Sequence, residues 1–150
     1  LPTIIGTGFG SGFWPWGPGT AGALTGMLIW YALSFMLNST LLFAVTLSCI
    51  VVFTIAGTWA VRRLSPFWGS DPQKVVIDEM VGVWVPLLAV PASDIWLALA
   101  SFVLFRLFDI LKPLGIRTLD RRKGAFYVMA DDILAGVYSL IIIVAAQWII

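Results

Sequence analysis

Long apolar runs separated by short polar stretches set the layout of this chain. Residues 21–37 and 41–61 carry no charge at all. The second of these is close to the ~20 residues that a bilayer-crossing helix needs. A third apolar segment covers about 78–90, broken by Pro86 and ended by Pro91. A fourth runs over about 95–111 and a fifth over about 131–150. Each is read as a helix, because only helices and closed barrels satisfy their own backbone groups in lipid. Asn38-Ser39-Thr40 and Pro91-Ala92-Ser93-Asp94 mark tight turns, while 65–74 and 112–124 are charged loops. Residues 1–20 hold six glycines and no charge, and read as a glycine-rich loop with Thr20 as the N-cap of the first helix. That loop lacks the basic start of a cleavable signal peptide.

Composition agrees with the pattern. Of 150 residues, 60% are hydrophobic and 11% charged, with a mean hydropathy of +0.98. A soluble domain is typically about 25% charged. The expected fold is a single all-α, polytopic integral membrane domain of about five helices, some short or kinked. A net charge of +1 and the lack of a basic arm argue against nucleic acid as a partner. Cys49 stands alone and makes no intramolecular disulfide. Lysine and arginine concentrate in the 62–77 and 112–124 stretches, and the two turns have none. With five helices, both basic loops fall on one side. The positive-inside rule makes that side cytoplasmic.

This orientation collects the remaining charges. Asp78, Glu79, Arg106, Asp109, Lys112, Asp131 and Asp132 all land at cytoplasmic helix ends. Arg106, Asp109 and Lys112 recur at i, i+3 and i+6 on one broad helix face. Charges in hydrocarbon surroundings are costly and mark functional sites. Acids at helix starts also serve as caps and dipole partners. With no histidine in the chain, the commonest general base and histidine-activated nucleophiles are excluded. Clustered carboxylates without histidine suit a hard cation such as Mg²⁺, which is commonly shared with substrate phosphate oxygens. Arg106 and Lys112 suit the other oxygens of a phosphate. The glycine loop and the first helix start add amide donors. No Gly-x-x-x-x-Gly-Lys-Ser/Thr loop is present, and Gly8-x-Gly10-x-Gly12 lacks the strand–helix–strand setting of a dinucleotide site. Metal-assisted phosphate hydrolysis remains. A small ion-coupled membrane transporter is the rival, because intramembrane acids and broken helices also mark ion pathways.

Four motifs in order carry a resemblance. They are Gly-Phe-Gly-Ser-Gly (8–12) with Pro-Gly-Thr (18–20), Asp78-Glu79-x-x-Gly82, Phe105-Arg106-x-Phe108-Asp109-x-x-Lys112-Pro113, and Asp131-Asp132-x-x-Ala135-Gly136. Together they resemble the bacterial phosphatidylglycerophosphatase A family over nearly the whole chain. Gly115 departs from the pattern, standing where a second proline is expected. The resemblance implies a Mg²⁺-dependent phosphatase of the bacterial inner membrane that converts phosphatidylglycerophosphate to phosphatidylglycerol. Expected metal ligands are Glu79, Asp109, Asp131 and Asp132. Expected catalytic groups are Asp78, Asp109 and Asp132. Arg106, Lys112, Gly19, Thr20 and Ser11 are expected to contact the substrate. Direct attack by water and a covalent aspartyl-phosphate both remain open.

Overall fold

The computed structural model describes residues 2–15, 17–68, 75–92, 94–111 and 125–149. Among these there are six α-helices and no strand. They are α1 (Pro2–Gly6), α2 (Pro18–Ser34), α3 (Ser39–Trp68), α4 (Ile77–Leu87), α5 (Ile95–Leu111) and α6 (Ala125–Ile149), with a 3₁₀ turn at Ser11–Phe13. Two stretches are long and apolar enough to cross a membrane, Ser39–Leu64 and Met129–Ile149.

The short helix α4 is the centre. Ten of its eleven residues are buried, and only Glu79 is partly open. A helix that is apolar all round belongs inside a bundle. Here α2, α3, α5 and α6 all pack on α4. Small residues make the approaches close. A Cβ at Gly22 of α2 would come 2.7 Å from Val76 Cβ, and one at Gly26 would come 2.8 Å from Met80 Cγ. The Trp84 indole N–H donates to the Gly26 carbonyl at 2.9 Å, closing the α2–α4 seam. Trp84→Phe keeps an aromatic ring but removes the N–H donor and leaves a space in the buried seam. Its thermal unfolding in detergent should show a loss of about 1–3 kcal/mol.

On the other side, Gly82 of α4 meets Gly136 of α6. A Cβ on Gly136 would run into the Gly82 carbonyl oxygen and come 2.9 Å from Val85 Cβ. A Cβ on Gly82 would come 2.6 Å from Phe105 Cζ and 2.9 Å from the Asp132 carbonyl oxygen. The outward faces are hydrocarbon: Phe43, Leu47, Val51, Val52 and Ile55 on α3, Ile141, Ile142 and Val144 on α6.

Several boundaries differ from the sequence expectation. The first helix begins at Pro18, with Gly17 as its N-cap in the left-handed region (φ 59°), so Thr20 lies in the first turn rather than at the cap. Proline at the first helical position needs no N–H bond, which explains the early start. Residues 1–20 are not wholly loop, because α1 forms there. The Gly6 carbonyl accepts the Val76 N–H at 2.8 Å, tying α1 to the entry of α4. α3 continues past Arg62 and Arg63 to Trp68; arginine is a good helix former. Asn38 is its cap, with Oδ1 accepting the Leu41 N–H at 2.8 Å. α4 runs through Pro86 to Leu87, then tightens into a turn in which Val90 N–H bonds Leu87 O at 3.1 Å. α6 begins at Ala125, six residues before Asp131.

Successive helices from α2 to α6 alternate in direction, so α2, α4 and α6 run one way and α3 and α5 the other. At one end, the Ala92 N–H reaches Ser39 Oγ at 3.4 Å and Gln147 Nε2 donates to Ala89 O at 2.6 Å. At the other end, a Cβ on Gly6 would come 2.8 Å from Leu64 and 3.8 Å from Val75, beside Arg62 and Arg63. That end holds the starts of α2, α4 and α6 and the close of α5.

Candidate active site

The Gly82–Gly136 crossing sets the site. Asp78 stands four residues before Gly82 and Asp132 four residues before Gly136, each on the glycine's own helix face. Crossing the helices at the glycines therefore brings Asp78 and Asp132 side by side one turn above. Asp131 joins them: carboxylate oxygens of Asp78, Asp131 and Asp132 lie within 4.8 Å of one another. A second triad, Glu79, Asp109 and Asp132, meets the same limit. Asp78 and Glu79 diverge by ~100° as successive helical residues, so α4 supplies one acid to each group. Asp132 belongs to both.

Helix capping does not account for Asp131 and Asp132. Val76, the N-cap of α4, makes no side-chain cap bond, and Asp78 and Glu79 stand in that helix's first turn, where they also face the positive end of its dipole. Asp131 and Asp132 lie beyond the first turn of α6, which contains no acid. Asp131 Oδ1 accepts the Asp132 backbone N–H at 2.9 Å, which fixes one side chain of the pair.

Asp78, Asp109, Asp131 and Asp132 are all buried. Arg106 is the positive charge that faces them among the described residues. It is ion-paired with Asp109 one turn away on α5. One guanidinium cannot compensate five carboxylates in a space with little water, where isolated charges are strongly disfavoured. Three carboxylate oxygens, Asp78 Oδ1, Glu79 Oε2 and Asp132 Oδ2, are buried without a hydrogen-bond partner, as is Arg106 Nε. Orphaned acceptors on three different acids, in an all-oxygen donor set, fit a hard divalent cation of the Mg²⁺ type.

α2 closes the site with Gly19. A Cβ there would come 3.0 Å from Glu79 Oε1 and 3.3 Å from Arg106 Nη2. The first bond of α2 runs from Ala21 N–H to Gly17 O at 3.0 Å. The Gly19 and Thr20 amides precede it and have no helical acceptor.

Of the residues singled out in the sequence, Asp78, Glu79, Arg106, Asp109, Asp131, Asp132 and Gly19 come together. Ser11 and Thr20 do not join the acids; they line a neighbouring groove with Trp14, Leu24 and Leu28. The Ser11 hydroxyl donates to Gly8 O at 2.9 Å, turned back onto its own loop. Lys112 lies outside the described residues. In the sequence, Gly82 and Gly136 stand only as letters of two motifs. Their signal was the repeated acid-x-x-x-Gly spacing in two helices.

The sequence profile of the phosphatidylglycerophosphatase A family matches residues 4–147. The chain belongs to this family. Two relatives named phosphatidylglycerophosphatase A are similar to it. The Haemophilus influenzae protein is 35% identical over 97% of this chain and 88% of its own length. The Escherichia coli protein is 36% identical over 91% of this chain and 77% of its own. A Bacteroides thetaiotaomicron protein, provisionally named a phosphatidylinositol-3-phosphatase, is 57% identical over the whole chain and 96% of its own length. No solved structure matches. As a phosphatidylglycerophosphatase A family member the chain is an enzyme, a phosphatase, and the ion-carrier alternative gives way to it. The family's motifs coincide with the geometry: each of the last three supplies acids to the cluster, and the first supplies Gly19.

Proposed function

We propose that this enzyme removes the terminal phosphate of phosphatidylglycerophosphate, giving phosphatidylglycerol, at the cytoplasmic face of the bacterial inner membrane in a Mg²⁺-dependent reaction. One observation carries the reading: two carboxylate triads share Asp132 beside Arg106 and the amide end of α2. The family and its named relatives support the substrate. The orphaned oxygens support the cation. The clustering of Arg62 and Arg63 at the acidic end of the bundle supports a multi-pass chain with that end in the cytoplasm.

Glu79, Asp109, Asp131 and Asp132 would hold the cation. Bound there, it supplies charge neutralisation for the phosphate and a more acidic water. Arg106 is positioned to bind a phosphate oxygen through its unpartnered Nε while Asp109 holds the guanidinium in place. The Gly19 and Thr20 amides, at the start of α2, orient the phosphomonoester there. Asp78, with one oxygen unbonded, accepts the proton of the attacking water. The burial of Asp78, Asp109, Asp131 and Asp132 limits competing solvent around the cluster.

A second substrate has its own support. The relative at 57% identity carries the phosphatidylinositol-3-phosphatase name. Both lipids present a phosphomonoester on a phosphatidyl headgroup, so the acidic site serves either. Phosphate release from each lipid in detergent, with Mg²⁺ and then with excess EDTA, tests the reading. The expected result is faster turnover of phosphatidylglycerophosphate, lost by at least about a hundredfold on chelation and restored by Mg²⁺. Faster release from the inositol lipid would transfer the assignment. Release that persists in EDTA would remove the metal.

A further inference from the structure

The first turn of α2 has two sides. Gly19 faces Glu79 and Arg106. Its neighbour Thr20 lines a groove of about 390 Å³ with Ser11, Trp14, Gly17, Leu24 and Leu28. The groove therefore opens beside the acidic site without being part of it. Its polarity is graded. Ser11, Gly17 and Thr20 stand at the site end. Farther along, Leu24 and Leu28 follow Thr20 at i+4 and i+8 on the same helix face. The Thr25 hydroxyl donates to Ala21 O at 2.8 Å, so this wall offers hydrocarbon rather than hydroxyl. α2 runs away from the acidic end, so the leucines lead into the apolar thickness of the bundle. Leu28 lies about 6 Å beyond Leu24. Trp14, half exposed, stands at the margin, as tryptophans do at a membrane interface.

We propose that this groove seats the proximal part of one acyl chain of the lipid substrate. The glycerol end lies at Ser11 and Thr20 and the chain runs along Leu24 and then Leu28. The inference rests on the lipid-phosphatase reading above. It adds how the enzyme grips the part of the lipid that does not react. The volume is at the small end of ligand sites, enough for part of one chain and not for a whole phospholipid. Remote binding of this kind helps hold the phosphomonoester against the reacting groups. A second groove of about 300 Å³, lined by Ala44, Ser48, Cys49, Val52 and Phe53 on α3, does not adjoin the acids and provides the control.

The test uses the full chain in detergent micelles and phosphatidylglycerophosphates of increasing acyl length. Leu24→Trp, Leu28→Trp and the control Val52→Trp are compared. All three positions are exposed, so tryptophan fills space without displacing the core. For the parent, kcat/KM should rise with chain length and then level off. Leu24→Trp should level off at a shorter chain than Leu28→Trp, and each should lose about tenfold in kcat/KM for the longest lipid. Val52→Trp should follow the parent. Overlapping profiles for parent and both groove variants, or a reversed order, would overturn the proposal. A parallel readout needs no turnover. A lipid substrate with a photoreactive group in its chain should label the 20–28 segment, and unlabelled substrate should compete. Equal labelling of α3 and α2 would mean ordinary bilayer contact and sink the idea. If the parent hydrolyses none of the lipids, the lipid-phosphatase reading fails, and the competed label alone decides whether the groove holds a lipid chain.

Discussion

Asp132→Asn is expected to lower phosphate release by about 10³-fold or more while leaving the protein folded. Asp132 is the one residue common to both triads, so its loss removes an oxygen ligand from each. Asparagine keeps the size and one carbonyl oxygen but discards the negative charge. Losses of roughly 10³–10⁴-fold or more are usual when a central charged group of an active site is neutralised. Asp131→Asn should cost less, because Asp131 belongs to one triad only and already spends an oxygen on the Asp132 amide. The check is steady-state phosphate release for both variants at saturating Mg²⁺, with the thermal midpoint measured alongside. Equal losses for the two variants would contradict the sharing of Asp132. An Asp132 variant with more than a tenth of parental activity would displace the cluster as the reaction centre.

The second large effect comes from a residue that carries no chemistry. Gly136→Ala would push one methyl group into the Gly82 carbonyl oxygen and against Val85. A side-chain obstacle can rotate aside, but this one is backbone, so the axes of α4 and α6 must part. Overpacking of this kind typically costs about 1–3 kcal/mol. The catalytic cost should be larger, because Asp78 and Asp132 are juxtaposed by that crossing. A displacement of about 1 Å at reacting groups can cost 10²-fold. We expect activity to fall by about a hundredfold or more, with the thermal midpoint in detergent lowered but a cooperative transition retained. Ala135→Gly, one residue away, makes a useful comparison: it should lose stability without a comparable loss in rate. Full activity in Gly136→Ala would show that the helices have room to spare.

Much of the site was legible because charge in a hydrocarbon chain is rare and each instance needs a reason. Asp78, Glu79, Arg106, Asp109, Asp131 and Asp132 stood out on that ground, and all six meet. The span of α5 was legible too, because Asp94 bounds one end; its Oδ1 accepts the Leu97 N–H at 3.1 Å. The start of α6 was not, because Ala125 to Met129 offer no capping side chain, and the acidic pair gave a more conspicuous boundary. α1 is too short to display a helical period. Arg62 and Arg63 mark a change in solvent, and a helix need not stop where its solvent changes. Ser11 shows another limit: a sequence gives a hydroxyl but not the direction in which it points. Hydropathy also ranks α3 and α4 as similar runs, although α3 is open along its outer face and α4 is enclosed. The glycines facing α4 made that difference, through contacts between segments far apart in the chain.

The enclosure of α4 has a consequence for biogenesis. Eleven residues rise about 16 Å, roughly half of a hydrocarbon core near 30 Å. An acidic residue near the middle of an inserting helix is disfavoured by about 2.5–3.5 kcal/mol, and α4 brings two acids at its leading end. Released alone from the insertion machinery, it has little reason to enter lipid. Its partner surface on α6 is also the last to be synthesised. The nascent chain must therefore hold α4 in waiting, with α2 and α3 as its first shelter, until the Gly136 face arrives to complete the enclosure. In a Cys49→Ala background, a ribosome-stalled chain ending before Ala125 should leave Val85→Cys, which faces Gly136, reachable by thiol reagents, and the complete chain should not.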